Sequence, residues 1–202
     1  WSFLFGGKMK IDVSNITLET DRMILRAFKI EDLENFFEYA RVPGVGEAAG
    51  WLHHNTIEDA KKVAEMFIKE ENVLSLVDKD TGKMIGTLGL HEPDGAMTEL
   101  VYKKFKKKDI VELGFVLSKD FWGRGIMPEA VDAVLNYLFE NTGAEFVMAG
   151  YFNENARSMR TQEKVGMKKF AEGMGKDAHK KDIGISFTGI TKEKYFDRTT
   201  AR

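Results

Sequence analysis

Residues 111–130, VELGFVLSKDFWGRGIMPEA, change from the period of a strand to the period of a helix within one short segment. Apolar side chains alternate along the first half, at Val111, Leu113, Phe115 and Leu117. The second half opens a helical stripe formed by Met127, Ala130, Val131, Val134, Leu135 and Leu138. These two periods predict a strand with one core face, a glycine-bearing turn at 121–125, and an amphipathic helix.

The turn FWGRGIM (residues 121–127) is the strongest local candidate for ligand binding. Glycine lets a ligand approach the backbone, and the first N–H groups of a helix lack partners, so such a turn can hold a diphosphate. A strand-to-helix turn without a ligand explains the same residues equally well. Two other phosphate motifs are excluded: no Gly-x4-Gly-Lys-Ser/Thr run exists, and Pro128 occupies the place of the third glycine in the dinucleotide fingerprint.

Around this stretch, apolar periodicity predicts an α+β fold with a mixed, mostly antiparallel sheet of six to seven strands and about four helices. The predicted strands cover residues 16–27 (with a break or bend), 73–78, 84–91, 111–117, 144–151, 167–172 and 183–189. Helices are predicted at 30–40, from Thr56 onward, from 126 onward and at 155–165. Thr56 and Asp59 have the spacing of a capping box. Residues 41–55 and 92–109 are predicted to be a loop and a long irregular connection.

The composition excludes several classes of protein. The chain has 202 residues, 43% of them hydrophobic, a formal net charge of −2 and no cysteine. Disulfides, thiolate metal sites and a cysteine nucleophile are therefore impossible. The charge balance disfavours a dedicated nucleic-acid binder, which is normally strongly basic. One globular domain is expected.

The start of the chain differs from the rest. It begins at Trp1 rather than Met, and residues 1–8 are short and apolar without a basic start. We expect residues 1–8 to be a tag or an incomplete N-terminal extension, with Met9 a plausible start, and residues 9–202 to form the domain. No window reaches the roughly 18 apolar residues of a spanning helix, so no membrane association and a cytoplasmic location are expected.

A second candidate site is YFNENARSMR, residues 151–160, followed by Lys164-Val165-Gly166-Met167. It places amides, a hydroxyl and basic groups between a strand and a helix. The alternative interpretation is structural: Asn153 or Asn155 caps the helix and Ser158 is an ordinary surface hydroxyl.

Metal and nucleic-acid sites find little support. His53 and His54 are adjacent, and His91 and His179 are distant in sequence, so no metal-ligand set is expected. The basic run at residues 103–108 could contact RNA. A solvated loop is the favoured interpretation, because one basic run in a net-acidic chain is weak evidence for RNA binding.

Taken together, these motifs resemble the GNAT superfamily of acyl-CoA-dependent N-acetyltransferases, and more closely its RimJ/RimL-like branch of ribosomal-protein N-terminal acetyltransferases. Three stretches carry the likeness: ETDRMILR at 19–26, FWGRGIMPEA at 121–130, and NARS at 155–158 followed by EKVGM at 163–167. WLHHNTIEDA at 51–60 is also similar to the loop and second helix of that branch. The resemblance covers about residues 16–190 and implies the acyl-CoA N-acyltransferase fold. It also implies that acetyl-CoA donates an acetyl group to a primary amine, on a protein N-terminus or a small molecule.

The resemblance assigns the cofactor-binding residues. The pantetheine arm would follow the strand at Phe115, Val116 and Leu117, where a backbone N–H near Val116 or Leu117 could polarise the thioester carbonyl. The turn would hold the pyrophosphate through Trp122, Gly123, Arg124, Gly125, Ile126 and Met127. Asn155 would bond the cofactor arm and Ser158 would lie near the sulfur. No metal is implied.

The candidate catalytic residues follow from two positions at which this chain differs from the family pattern and from one carboxylate on the central strand. Asp120 stands where the superfamily usually has Gln or Arg, and Gln162 where many members have a tyrosine acid, so Ser158 becomes the candidate acid. Glu112 is the candidate general base, acting through a water, because it is the one carboxylate on the central strand. The alternative for Glu112 is a carboxylate on a half-exposed strand face.

Two other functions remain in view. One is a non-catalytic acyl-CoA-binding or sensing domain, motivated by Gln162, and the other is the RNA-interacting protein already mentioned. The acceptor would be selected by residues 41–55, which include Trp51, and by residues 92–109. The absence of cysteine excludes a cysteinyl acyl-enzyme, so direct transfer in a ternary complex is expected, by a monomer or homodimer.

Overall fold

The computed structural model describes residues 11–93, 96–105 and 109–200. Within these ranges the chain forms eight strands and six α-helices. The strands are β1 (Thr17–Glu19), β2 (Met23–Ala27), β3 (Val73–Asp78), β4 (Met84–His91), β5 (Ile110–Leu117), β6 (Phe146–Phe152), β7 (Lys168–Lys176) and β8 (Asp182–Thr191). The helices are α1 (Leu33–Ala40), α2 (Ile57–Glu70), α3 (Ala96–Phe105), α4 (Ile126–Asn141), α5 (Ala156–Lys164) and α6 (Lys192–Thr200). The predicted tag at residues 1–8 and the start at Met9 lie outside the described residues.

One mixed sheet organises the fold, with strand order β1-β2-β3-β4-β5-β6-β8-β7. Every neighbouring pair is antiparallel except β5 and β6, which run parallel. The predicted α+β class and mostly antiparallel sheet are confirmed. The described residues form one more strand than the upper prediction and two more helices than predicted.

Helices cover both faces of the sheet. Side chains of α4 pack with Ile85 and Leu117, whereas α1 and α2 pack with Met84 and Val116. Because successive residues of a strand point to opposite faces, α4 lies on one face and the α1–α2 pair on the other. The two faces of the sheet therefore pack against different helices, and the residues of one strand alternate between these two environments.

The predicted strand at 16–27 is two strands. β1 and β2 pair antiparallel, with Thr17 opposite Arg26 and Glu19 opposite Ile24. The polar middle of the segment is a hairpin turn, in which the Thr20 N–H donates to the Met23 carbonyl oxygen at 2.9 Å. The break in periodicity was correctly placed, but it reverses the chain instead of bending one strand.

The prediction of an irregular connection at 92–109 was wrong for its centre, which is helix α3. Val101 of α3 is fully buried, and the ring of Phe105 stacks on that of Phe146 with centroids 4.0 Å apart. The Lys104 ammonium donates to the Phe170 carbonyl oxygen at 2.8 Å. Lys103 and Lys104 therefore lie on a packed helix and not in a solvated loop, while residues 106–108 of the basic run lie outside the described residues.

The start of α2 agrees with the sequence prediction, whereas helix α6 was not predicted. The Thr56–Asp59 capping box is confirmed: the Asp59 N–H donates to Thr56 Oγ1 at 3.2 Å, and the Thr56 N–H donates to the Asp59 carboxylate at 3.0 Å. Helix α6 was not foreseen, because its one fully buried anchor, Tyr195, packs on Phe139 of α4, a contact between distant parts of the chain.

Candidate functional site

A cleft of about 470 Å³ opens where the parallel strands β5 and β6 separate. The two strands pair only from Ile110–Phe146 to Leu113–Ala149. Beyond that point, residues 114–117 of β5 and 150–152 of β6 are no longer paired with each other. Residues on both sides of this split line the cleft.

The split leaves specific backbone N–H groups of β5 directed into the gap. The Ser118 N–H donates to the Ile85 carbonyl oxygen, toward β4. Alternate residues of a strand share one hydrogen-bonding direction, and the β4–β5 register is unbroken, so the Val116 N–H also points toward β4. The N–H groups of Phe115 and Leu117 therefore point toward the gap. Of the two predicted carbonyl donors, this geometry selects Leu117 over Val116.

The glycine turn closes one end of the cleft and leads directly into α4. Gly123 and Gly125 have φ values of 77° and 75°, which glycine adopts without strain. Both line the cleft, as do Trp122, Ile126 and Met127. No side chain caps the start of α4, where Gly125 is the N-cap residue. The first amides of α4 therefore lie next to the cleft, as an anion site requires.

Arg22 fixes the orientation of this turn from the β1–β2 hairpin. Its guanidinium donates to the Arg124 carbonyl oxygen at 2.8 Å and to the Glu129 carboxylate at 2.7 Å. The peptide unit is planar and trans, so holding the Arg124 carbonyl on one side aims the Gly125 N–H to the other. Burial would raise the pKa of Glu129, but hydrogen bonds from Thr20 and Arg22, together with the charge of Arg22, lower it.

The resemblance implies that this turn binds acetyl-CoA, and on that basis we expect Arg22→Ala to weaken the binding by about tenfold, since the turn loses the contact that orients its amides. Isothermal titration of acetyl-CoA measures the effect. Lys79→Ala is the matched control, because Lys79 holds the same hairpin through Glu19 and Thr20 without touching the turn. Equal affinity in the Arg22 variant and the control would contradict a role for Arg22 in the turn.

The start of α5 forms the opposite wall. Asn155 is the N-cap: its Oδ1 accepts from the Ser158 N–H at 3.1 Å, and its Nδ2 donates to the Ala48 carbonyl oxygen at 3.0 Å. Asn153 accepts a hydrogen bond from Ser186 instead. The structural interpretation of Asn155 is thus correct. One amide hydrogen remains for a cofactor arm.

Ser158 lies in the cleft with a defined hydroxyl orientation. The buried Gln162 donates through Nε2 to Ser158 Oγ at 3.0 Å, and its Oε1 accepts from Thr188 Oγ1 at 2.6 Å. Since the serine oxygen already accepts this bond, its own O–H is left to donate elsewhere. Gln162, which stands where the resemblance implies a tyrosine, therefore orients the Ser158 hydroxyl.

The loop at 41–55 reaches the cleft, as predicted, through Val45, Ala48, Ala49 and Trp51. Its shape is held by Glu47, which accepts from the Gly44 N–H at 2.7 Å and contacts the His53 ring nitrogen at 2.7 Å. Burial alone would raise the pKa of Glu47, but these and other hydrogen bonds lower it to about 2. None of the described residues of 92–109 lines the cleft.

Two predicted site residues are absent from the cleft lining. Arg124 turns its guanidinium over the Phe121 ring, with 5.2 Å between the guanidinium carbon and the ring centroid. Glu112 is half-buried and lies opposite His91 in the β4–β5 register. All the other predicted cofactor and catalytic residues line the cleft.

Several lining residues were missed at the level of sequence, among them His91 and Thr87 of β4. The second candidate stretch does reach the cleft, through Tyr151 of β6 and the basic residues Arg157, Arg160 and Lys164 of α5. The guanidinium of Arg157 stacks on the Trp122 indole at 3.9 Å. No aspartate or glutamate is among the described lining residues, so the electrostatic character of the cleft is neutral to positive.

Comparison with known proteins gives a consistent result. The family model for the acetyltransferase (GNAT) domain matches residues 22–168, more than half of the chain. The chain belongs to the GNAT acetyltransferase family. Its eight-stranded mixed sheet is that fold, as the resemblance implied, and N-acetyl transfer is the activity of the family.

Individual relatives agree with this assignment. The chain is 25% identical over 187 residues to the uncharacterised N-acetyltransferase p20 of Bacillus licheniformis, covering 89% of this chain and 98% of that one. A putative ribosomal-protein-serine acetyltransferase from Vibrio cholerae superposes with a TM-score of 0.70 at 16% identity, covering 89% and 99% of the two chains. The microcin C7 self-immunity acetyltransferase MccE, solved with acetyl-CoA and AMP, superposes with a TM-score of 0.69 at 16% identity, covering 85% and 93%.

The described residues contain neither a metal-ligand group nor a membrane-spanning helix. Across residues 11–93, 96–105 and 109–200, no three His, Asp or Glu side chains are grouped so that they could hold a metal ion. In the same ranges, no helix is long and apolar enough to cross a membrane.

Proposed function

We propose that this GNAT protein transfers the acetyl group of acetyl-CoA directly to a primary amine within a ternary complex. The observation that carries the proposal is the split between β5 and β6, which runs from unpaired strand amides to the amides at the start of α4. One end suits a thioester carbonyl and the other suits a diphosphate.

The parts of acetyl-CoA match the parts of the cleft. The amides of residues 123–127 would hold the pyrophosphate, with Arg157, Arg160 and Lys164 as cationic neighbours for phosphate groups. The pantetheine arm would lie along β5 and near the Asn155 amide. The N–H of Phe115 or Leu117 would then donate to the thioester oxygen as negative charge develops on it.

Ser158 is our candidate for the acid that protonates the departing sulfur. Its hydroxyl lines the cleft and is oriented by Gln162, as described above. This arrangement supports catalysis over the non-catalytic alternative, because the loss of the tyrosine at position 162 is matched by a placed serine donor. Glu112 stays a candidate base only through an intervening water, since its side chain is outside the cleft lining.

The family assignment does not name the amine that accepts the acetyl group, so the acceptor class is a further part of the proposal. The segments at 19–26 and 155–167 resemble the RimJ/RimL-like branch, and a solved protein named as a ribosomal-protein-serine acetyltransferase shares the fold. We therefore propose a protein N-terminus or a small-molecule amine as acceptor. A cytoplasmic location, and a monomer or homodimer, complete the proposal.

The proposal is tested by measuring thiol release from acetyl-CoA across a panel of peptides and small amines. We expect release that depends on one class of amine, with double-reciprocal lines that intersect as both substrates are varied. Acetyl-CoA binding without amine-dependent thiol release would overturn catalysis and favour the non-catalytic domain. Parallel lines would contradict direct transfer.

A further inference from the structure

We propose that His91 is the catalytic base of this transfer, accepting the proton of the attacking amine on Nε2. This inference rests on the proposed acetyl transfer and assigns its missing proton acceptor. His91 closes β4, lines the cleft and is exposed.

Two glycines make room for the imidazole. Gly89 and Gly114 are directly opposite each other in the β4–β5 register. A Cβ on Gly89 would lie 2.3 Å from His91 Nε2, and a Cβ on Gly114 would lie 3.7 Å from the same atom. The ring therefore lies over Gly89 and Gly114, which have no side chains. Its Nε2 is next to β5, at the point where β5 separates from β6.

The other ring nitrogen is held in place. His91 Nδ1 lies 3.2 Å from Nδ2 of Asn72, the residue just before β3. A half-turn of the Asn72 amide would present its oxygen instead, so the amide can serve either ring tautomer. The tautomer with hydrogen on Nδ1 leaves the Nε2 lone pair free to take a proton.

The surroundings favour an unprotonated ring. Desolvation by the neighbouring walls lowers the pKa of His91 below its ordinary value, so the ring is neutral at pH 7. From β3 and α2, Val73 and Phe67 line the cleft and carry no charge. The charged or titratable groups on the remaining elements around the cleft are Glu112 on β5, Tyr151 on β6, and Arg157, Arg160 and Lys164 on α5.

His91 is also the lining residue best suited to the role. No carboxylate is among the described lining residues, and the arginine and lysine side chains offer hydrogen-bond donors and no acceptor. Glu112, the base predicted from sequence, is the cross-strand neighbour of His91, but it is not in the lining.

The proton balance of the step is complete. The amine nitrogen attacks the acetyl carbonyl carbon, and the C–N bond forms as the N–H proton passes to His91 Nε2. The C–S bond breaks, and the sulfur leaves with the electron pair and takes the Ser158 proton. The His91 proton returns, through water, to the serine oxygen, so the products are the acetylated amine and the free thiol of CoA.

The primary test is His91→Gln, compared with His179→Gln, which alters an exposed histidine in the β7–β8 turn. We expect His91→Gln to lower kcat/KM for the amine about 100-fold, with the KM for acetyl-CoA within about twofold. In the wild type, kcat/KM falls as acid protonates His91, below its ordinary pKa near 6.5. This acidic limb should vanish in His91→Gln and persist in His179→Gln.

Two further variants separate catalysis from structural support. Asn72→Asp places a carboxylate at Nδ1, which raises the His91 pKa and should move the acidic limb upward by about one pH unit. Gly89→Ala puts a methyl group where Nε2 lies, so kcat should fall while acetyl-CoA affinity, measured by titration calorimetry, is retained.

Each outcome has a defined meaning. A wild type that acetylates amines, paired with a His91→Gln variant that keeps its rate and its acidic limb, would overturn the role of His91 alone. Loss of the limb in Glu112→Gln but not in His91→Gln would assign the base to Glu112. A wild type that binds acetyl-CoA and acetylates no amine would overturn the proposed function and the role of His91 with it.

Discussion

Ser158→Ala is expected to lower kcat about 100-fold while leaving the KM for acetyl-CoA within about threefold. The physical reason is the leaving group: without the hydroxyl, the thiolate departs with no donor beside it. Steady-state kinetics with a fixed amine and varied acetyl-CoA separate the two constants. An unchanged kcat would remove Ser158 from the mechanism.

Gln162→Leu is the companion variant, because leucine of similar size keeps the packing and loses the bond to Ser158. We expect a smaller fall in kcat than in Ser158→Ala. The double variant should be no slower than Ser158→Ala, since Gln162 acts through the serine hydroxyl. Additive losses would show that Gln162 works by another route.

Gly125→Val is expected to raise the Kd for acetyl-CoA by about 10- to 100-fold. Gly125 has a φ of 75°, which a β-branched residue adopts only at a cost of about 1–3 kcal/mol. The free turn would relax away from this geometry, so binding would have to restore it. Each 1.4 kcal/mol corresponds to about tenfold in affinity.

Gly82→Val controls for backbone strain. Gly82 has a φ of 69° in the β3–β4 hairpin, and a Cβ there meets nothing within 4 Å. It carries comparable strain at a distance from the cleft. Both variants should lose thermal stability, and only Gly125→Val should lose acetyl-CoA affinity by titration calorimetry. Equal affinity in both variants would contradict binding at the turn.

The sequence was sufficient where the signal is local. Alternation over residues 111–117, the glycines of the turn and the apolar stripe of α4 together specify the strand, turn and helix that build the cleft. The Thr56–Asp59 cap was equally readable, because a capping box is a contact between residues three apart. These local elements also carry the family motifs, so the family followed from them.

The sequence was insufficient where packing decides. Helix α3 owes its place to Val101 and to the stacking of Phe105 on Phe146, a partner about forty residues away. The polar residues of the β1–β2 turn were assigned to a bent strand, because a short hairpin and a bend interrupt the alternation in the same way.

The site shows the same division. In the sequence, Gln162 indicates only that the usual tyrosine is missing. In the structure, Thr188, twenty-six residues later, donates to Gln162 Oε1 and leaves its Nε2 to donate to Ser158. In the sequence, His91 is one of four histidines with no common pattern. In the structure, strand pairing places its ring over Gly89 and Gly114. Cross-strand register is not encoded in the periodicity of either strand alone, and the packing of α5 on β8 is likewise a long-range contact, so neither arrangement was predictable from the sequence.

The central claim is direct transfer from acetyl-CoA to an amine, and following the acetyl group itself tests it most directly. Acetyl-CoA labelled in its acetyl group is mixed with the protein and an accepted amine, and both are analysed by intact-mass spectrometry over the first turnovers. We expect the label to appear on the amine nitrogen and never on the chain. Label on the chain before it appears on the amine, or no label on any amine despite acetyl-CoA binding, would contradict it.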